Sequence, residues 1–345
     1  MQLIDEYVTP AELTGYARAA LRDYQQNQFI LHQILPDATV NDLSYRFTRG
    51  GGGLIDAAVF RNYDAESDIG KRAGGARVYG ELPPISRKLP LGEYERIKRR
   101  NLDTQNEELR DALESDASIL ASGIAARVEL ARGEAIFSAK VDLDENGVNG
   151  GVDYGRAAGN SVTAAKTWDD PTAAVADDLT AWQEYYLDLN GYMPTRMIMS
   201  RRAFNFLRRN EQMKNVIFPN SSSTSLPTLT AAQLREALSA QELPEPIIYD
   251  AQVNVEGVST RITPANQIAL LPPPNVKVGE TLWGSPIESQ DSRYGLAGAE
   301  AGIAVGAYHS EDPQTLWTRA TAIVLPIIGN PDATMTASVL DAPSP

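Results

Sequence analysis

The stretch DTQNEELRDALESDASILASGIAARVELARGEAIF, residues 103–137, carries the longest periodic signal in the chain. Leu109, Leu113, Ala117, Leu120, Ile124, Val128 and Ala131 recur at steps of three and four, which lays one apolar stripe along a helix. Thr104 and Glu107 stand at the spacing of a capping box, where each side chain satisfies a backbone N–H at the helix start. The predicted helix is about 50 Å long at ~1.5 Å per residue. Gly123 and Gly133 interrupt the pattern and weaken its continuity, because a helical glycine costs about 1 kcal/mol relative to alanine. Residues 103–134 hold 8 acidic and 3 basic side chains, a net of −5.

The segment in front of this helix is of another kind. Residues 46–100 contain 12 Lys/Arg and 7 Asp/Glu, a net of +5. Short strand-like runs, Leu54–Phe60 and Arg77–Leu82, alternate with Gly50–Gly53, Gly74-Gly75 and Pro83-Pro84. So few large apolar residues cannot build a local core, and a long β-hairpin that packs on another chain explains them better than an independent domain. Arg87, Lys88, Lys98, Arg99 and Arg100 are its candidate contacts with a neighbouring acidic helix. Complementary charge of this sort sets orientation and register more than affinity. Residues 1–45 read as an arm, with Thr9 capping a helix whose first position is Pro10 and whose apolar face is Leu13, Ala17 and Leu21.

Behind the helix, Lys140–Asp153 reads as a hairpin and a Gly/Ala/Ser link runs to about Lys166. Asp170-Pro171 is expected to open a helix through Leu179, Trp182, Tyr186 and Leu189, with Gly191 as its stop. Met193–Ser200 reads as a strand, Ala203–Asn210 as a helix, and Ser221–Ser225 as a polar loop. Thr230 and Gln233 form another capping box, and strands are expected at Pro246–Asp250 and Gln267–Leu271 around a hairpin turned near Gly257. The end is strand-rich: Leu282–Glu288, Gly302–Tyr308, Leu316–Ile327 and Thr334–Leu340. The fold class is therefore α+β.

The whole chain has 345 residues, 43% hydrophobic and 22% charged, which allows two or three domains with real cores. It has no cysteine, which excludes disulfides, thiolate metal sites and a cysteine nucleophile. No basic and apolar N-terminal signal and no apolar run near the ~18 residues of a membrane span are present, so a soluble protein made inside the cell is expected. The net charge of −14 opposes DNA binding through phosphates, which needs Lys and Arg in excess.

Candidate chemistry is sparse. Gly50–Gly53 lacks the Gly-Lys-Ser/Thr of a phosphate loop and opens no helix. Asp142, Asp144, Asn146, Gly147 and Asp153 fall at the spacing of a calcium loop, but position 12 is Asp and no amphipathic helix follows. A tight hairpin turn uses the same residues and is the stronger reading. His32 and His309 lie far apart, with no nucleophile elbow beside either. Asp169-Asp170 and Asp177-Asp178 suit a helix's first turn, where the dipole favours negative charge. No catalytic residue, metal ligand or cofactor-binding residue is assigned.

The order of pieces resembles the Hong Kong 97-type capsid fold, and its details resemble the lambda-type phage major capsid protein family. The resemblance rests on Ala125-Ala-Arg-Val-Glu129 in the long helix, Lys140-Val-Asp-Leu with Val152-Asp-Tyr-Gly155, and Trp168-Asp-Asp-Pro171 before Asp177-Asp178-Leu179. It continues through Gly191-Tyr-Met-Pro194, Met197-Ile-Met-Ser200, Asn210, Gly279, Trp283-Gly284, Gly306-Ala-Tyr-His-Ser-Glu-Asp-Pro313, Trp317-Thr, Leu325-Pro326 and Pro331-Asp332. The resemblance implies an N-terminal arm over 1–45, an extended E-loop over 46–100, and a peripheral P domain with the spine helix over 101–166 and 282–345. It also implies an axial A domain over 167–281. As to function, it implies a non-enzymatic head protein that self-assembles, as hexamers and pentamers, into an icosahedral shell around double-stranded DNA. Scaffolding, portal and decoration proteins are the implied partners, with no cofactor and no membrane. The implied location is the virion, after assembly in the host cytoplasm. A shell of the same fold enclosing an enzyme cargo is the alternative.

Overall fold

Local signals set the first elements, and a computed structural model of the chain describes residues 2–3, 5, 7–41, 43–49, 76–98, 105–143, 150–219, 227–296, 301–312 and 314–341. The arm contributes strand β1 (Gln2–Leu3), helix α1 (Pro10–Asn27) and strand β2 (Asp37–Thr39). Thr9 and Glu12 complete a capping box on α1, with Pro10 where no N–H is needed. A ribbon of β3 (Ser44–Arg49) and β4 (Ala76–Glu81) leads to β5 (Pro84–Leu91) and the short α2 (Glu93–Lys98). The spine, α3, runs unbroken from Gln105 to Ser138. Its predicted stripe is buried throughout, from Leu109 to Ala131. The expected cap at Thr104 lies outside the described residues.

Both spine glycines sit inside the continuous helix, for different reasons. A Cβ on Gly133 would lie 2.8 Å from the Ile262 carbonyl oxygen and 2.8 Å from its Cγ2, so the helix can approach that backbone only without a side chain. A Cβ on Gly123 would meet only the mobile end of Arg87, at 3.1 Å from Nη1. Close packing explains the first glycine. Nothing among the described residues requires the second.

Beyond the spine come the hairpin β6 (Lys140–Asp142) and β7 (Gly151–Asp153), then β8 (Ser161–Thr163), α4 (Val175–Asn190), β9 (Arg196–Met199) and α5 (Arg201–Leu207). They are followed by α6 (Glu211–Ile217), α7 (Ala231–Ala240), β10 (Glu245–Ile248), and the hairpin β11 (Gln252–Val255) and β12 (Val258–Arg261). The chain ends with β13 (Gln267–Leu271), β14 (Gly279–Gly284), α8 (Ile287–Gln290), β15 (Ala304–Glu311), β16 (Gln314–Ile328) and β17 (Met335–Ser338). One expectation needs correcting. Asp170-Pro171 does not open α4; Asp170 accepts from the backbone and hydroxyl of Thr172 in a turn, and α4 begins four residues later behind Ala174 without a side-chain cap. An Asx turn and an N-cap use the same acceptor, so the dipeptide alone does not separate them.

Two sheets organise these pieces. The first is built on β16, whose residues 314–321 pair with β15 and 316–323 with β5, while 323–328 pair with β14. β2 joins β14 in parallel and β1 joins β15. The spine packs across β16, and the near-continuous apolar run Ala320–Ile328 is what a strand covered on both faces requires. Thr14 of α1 hydrogen-bonds both the N–H and the carbonyl of Val305, which blunts the outer edge of β15. The second sheet has the order β10-β9-β13-β17-β8, with parallel pairs at both ends. Its core gathers Trp168, Leu179, Tyr186, Phe204, Leu234 and Ile268. Strands β8 and β17 come from either side of 167–281 in sequence, so this sheet is closed by segments from outside that range.

The two glycines make a direct test by equilibrium unfolding of the unassembled chain. Gly133→Ala is expected to lose about 1–3 kcal/mol through overpacking against Ile262. Gly123→Ala is expected to hold or gain up to about 1 kcal/mol from helix propensity.

Candidate functional site

The basic residues expected to face a neighbour are distributed unevenly. Arg87 and Lys88 lie on β5 opposite Ala320 and Arg319 of β16, inside the first sheet. The Arg87 guanidinium reaches Gly123 of the chain's own spine, and Lys88 Nζ stands 4.2 Å from the centre of the Trp317 ring. Both residues therefore have partners at home. Lys98 ends α2, and Arg99 and Arg100 lie outside the described residues. Beside them on α2, Tyr94 and Ile97 are 78% and 67% exposed, one helical turn apart, which makes an uncovered apolar face next to the basic cluster.

The other candidates resolve into structural roles. Asp142 and Asp153 flank a paired hairpin, with Lys140 Nζ 3.0 Å from Asp153 and the Gly155 N–H donating to Asp153 Oδ1. Residues 144–149, which hold the remaining calcium-loop positions, lie outside the described residues. His32 Nδ1 donates to the Phe29 carbonyl at 2.8 Å, and His309 is exposed on β15 opposite Leu316. Asp177 and Asp178 do fall in the first turn of α4; the indole N–H of Trp168 donates to Asp178, whose pKa burial raises. Gly50–Gly53 and Ser221–Ser225 lie outside the described residues.

What sequence reasoning missed is a pair of polar clamps on the C-terminal half of the spine. Glu129 and Arg132 are both essentially inaccessible and paired, Nη1 to Oε2, at 3.2 Å. Glu129 Oε1 also accepts from the Leu31 N–H (2.9 Å) and the Tyr249 hydroxyl (2.7 Å). Burial, followed by this carboxylate, pushes the Tyr249 phenol well above its ordinary value, so it remains a donor. Arg132 Nε donates to Thr281 Oγ1 (2.9 Å) and Nη2 to Asp37, which also accepts from the indole of Trp283 and the amide of Gln25. One network thus joins the arm, the spine, β14 and the end of β10.

The second clamp lies one turn further. Arg156 donates to the Ile136 and Phe137 carbonyls at 2.9 and 2.7 Å, satisfying the spine's last turn, and to the hydroxyls of Thr334 and Thr336. Burial lowers its pKa to about 10, which still leaves it charged at neutral pH. Beside it, Asp332 accepts from the Ala157 N–H and the Asn160 amide, and its carbonyl accepts from Asn190. The only sequence signal of the first clamp was a Glu and an Arg at i, i+3 on an apolar helix face.

Among the described residues no catalytic group is assembled; the arrangement is a two-sheet scaffold with additional two-stranded ribbons. The sequence profile of the family described as Phage major capsid protein E matches residues 9–339. The chain belongs to the phage major capsid protein E family. This family builds the phage head shell, so the capsid protein is a structural and not an enzymatic subunit, homo-oligomeric and resident in the virion. Its α+β architecture is the Hong Kong 97-type capsid fold. Similar solved structures include a protein assigned as a prophage capsid protein of Escherichia coli CFT073, at 14% identity and TM-score 0.64, covering 96% of this chain and 99% of that one. A phage-related protein of Bordetella bronchiseptica RB50 follows at 14% identity and TM-score 0.57, covering 99% and 100%. A virus-like particle protein of Pyrococcus furiosus stands at 12% and 0.50, covering 94% and 97%. No curated protein sequence matches the chain.

Arg132→Met would leave Glu129 buried without its counter-ion. It is expected to destabilise the subunit by about 3–5 kcal/mol, and the double change Glu129→Gln, Arg132→Met by clearly less, read in a double-mutant unfolding cycle.

Proposed function

We propose that this capsid protein forms an icosahedral shell of hexamers and pentamers around double-stranded DNA. The supporting observation is the family match across residues 9–339. A net charge of −14 gives the packaged polymer a non-adhesive lining. Residues 1–45 serve as the arm and 46–100 as the E-loop, though Pro84–Leu91 within that range is also a strand of the first sheet. Residues 101–166 and 282–345 make the P domain, with β8 and β17 reaching into the sheet of the A domain, 167–281. A separate scaffolding protein and a portal act in assembly, and a decoration protein on the outer surface fits the same scheme.

The basic E-loop and acidic spine supply orientation between subunits, with Lys98, Arg99 and Arg100 carrying more of that role than Arg87 and Lys88, which already hold internal contacts. Burying Glu129 and Arg132 together removes one charge of each sign, so it leaves the net of −5 over residues 103–134 unchanged.

Electron microscopy of the purified protein, alone and with the scaffolding protein, is expected to show closed multi-megadalton particles. Particles from producing cells are expected to hold nuclease-protected double-stranded DNA; an enzyme cargo in its place would favour the compartment alternative. Reversing Lys98, Arg99 and Arg100 to Glu is expected to slow assembly by roughly 10-fold or more at low salt. Unchanged light-scattering kinetics would remove the electrostatic part.

A further inference from the structure

In the helix layer that covers the second sheet, charge is sorted by helix. Residues 201–214 hold five Lys/Arg and one Glu, a net of +4 in a chain of −14. Two of these cations are occupied at home: Arg201 pairs with Asp250, and Arg208 donates to the Leu229 carbonyl. Arg202 and Arg209 are exposed, and neither side chain has a partner among the described residues. With Asn205 they stand at steps of three and four, one basic face along α5 and the turn that follows it. Helix α4 is the converse. It carries Asp177, Asp178, Glu184 and Asp188 and no Lys or Arg. Asp177, Ala181, Glu184 and Asp188 are exposed at steps of four, three and four. Glu184 and Asp188 have no side-chain partner among the described residues, and at i, i+4 they repel each other. Asp177 accepts from the Gln212 amide. Tyr185 and Met193 add exposed apolar surface beside this face, at 41% and 44%. Glu184 and Met193 also line an open groove of about 660 Å³ against α7.

We propose that the α5 face of one copy docks antiparallel on the α4 face of a second copy, with Arg202 meeting Glu184 and Arg209 meeting Asp177. The inference rests on the shell reading above and names a contact within it. Read from its C-terminal end, the acidic face runs Glu184, Ala181, Asp177, at steps of three then four. The basic face, Arg202, Asn205, Arg209, has the same steps in the same order. Seven residues span about 10.5 Å at ~1.5 Å per residue on either side, so both ion pairs form together. Ala181 falls opposite Asn205, and its small side chain lets the helices approach. Tyr185 sets a ring beside Glu184, where a guanidinium gains from the aromatic face as well as from the carboxylate. Helix α5 contacts β10, one edge strand of the sheet, whereas α4 contacts the Pro331–Ala333 turn that leads into β17, next to the opposite edge strand β8. Each copy thus offers two different surfaces. Such a contact is head to tail, and it repeats into a closed ring.

The test uses the full chain at low salt. One variant combines Arg202→Glu with Arg209→Glu, and the other combines Asp177→Arg with Glu184→Arg. Each is expected to melt with the wild type as an unassembled subunit and to give at least about 10-fold fewer closed particles. All four changes in one chain exchange the two signs and are expected to recover assembly. An equal mixture of the two double variants can alternate around a ring of six but not of five, so electron microscopy is expected to show six-membered rings. Should a double variant melt early, Arg202→Glu and Glu184→Arg alone carry the same test. Wild-type yield from either double variant, or no recovery in the fourfold variant, would overturn the inference and leave the shell reading intact. Recovery in the fourfold variant with none on mixing would place the pairing inside one chain, which also overturns it. Wild-type protein that never forms particles would overturn the shell reading and this inference with it.

Discussion

The buried ion pair of Glu129 and Arg132 is the contact on which the rest of the subunit turns. Apolar burial drives the chain together but has no direction. Two opposite charges inside the core have a strict geometry, because each must keep its hydrogen bonds or pay the desolvation of an unpaired ion. Here the bonds are filled by Leu31, Asp37, Tyr249 and Thr281, which come from parts of the chain as much as 250 residues apart in sequence. A shift of the spine by one residue would break all of them together. The pair therefore sets register, and the surrounding leucines and alanines supply the stabilisation.

Arg156 and Asp332 extend the same logic to the spine's C-terminus. The last carbonyls of a helix have no partner of their own. Arg156 satisfies two of them while also holding Thr334 and Thr336 at the entrance to β17. The C-terminal half of α3 is thus tied to the arm, to β14, to the second sheet and to the crossing at Pro331–Ala333. Its N-terminal half rests on α1, β15 and β16 mainly through apolar contacts, with the Thr318 hydroxyl of β16 donating to Asp116. The molecule is held most firmly where its two sheets meet.

Much of this was legible from periodicity. The spine, α1 with its Thr9 cap, the Thr230 capping box, the hairpin at Gly257 and strand Gln267–Leu271 all have local causes, and they stand where those causes put them. What local patterns could not show was pairing. Pro84–Leu91 has two prolines, two cations and only scattered apolar residues, and falls inside the stretch read as a hairpin that packs on another chain; its place beside β16 is decided by an edge more than 220 residues away. Gly133 looked like a weakness until Ile262 arrived against it. Glu129 and Arg132 offered only an i, i+3 spacing, because burial is a property of what packs over a helix and not of the helix itself. Asp170-Pro171 failed for the opposite reason, since a turn and a helix start share the same first bond.

The β3–β4 ribbon shows why a folded subunit still needs others. Its base is anchored: Tyr45 and Leu82 are buried, and Gly80 leaves room for the Tyr45 ring. Further out, Tyr79 is 82% exposed. A two-stranded ribbon in water is marginal at best, because half its backbone edges and both faces remain solvated. The first sheet offers it nothing more, since β16 already has β15, β5 and β14. Beyond what Tyr45 and Val78 draw from the core, neighbouring copies can supply further stabilisation, and a shell presents the same surfaces to every copy at once. Each contact can then be weak, so that a misplaced subunit dissociates and tries again, while the sum over several neighbours holds the finished particle.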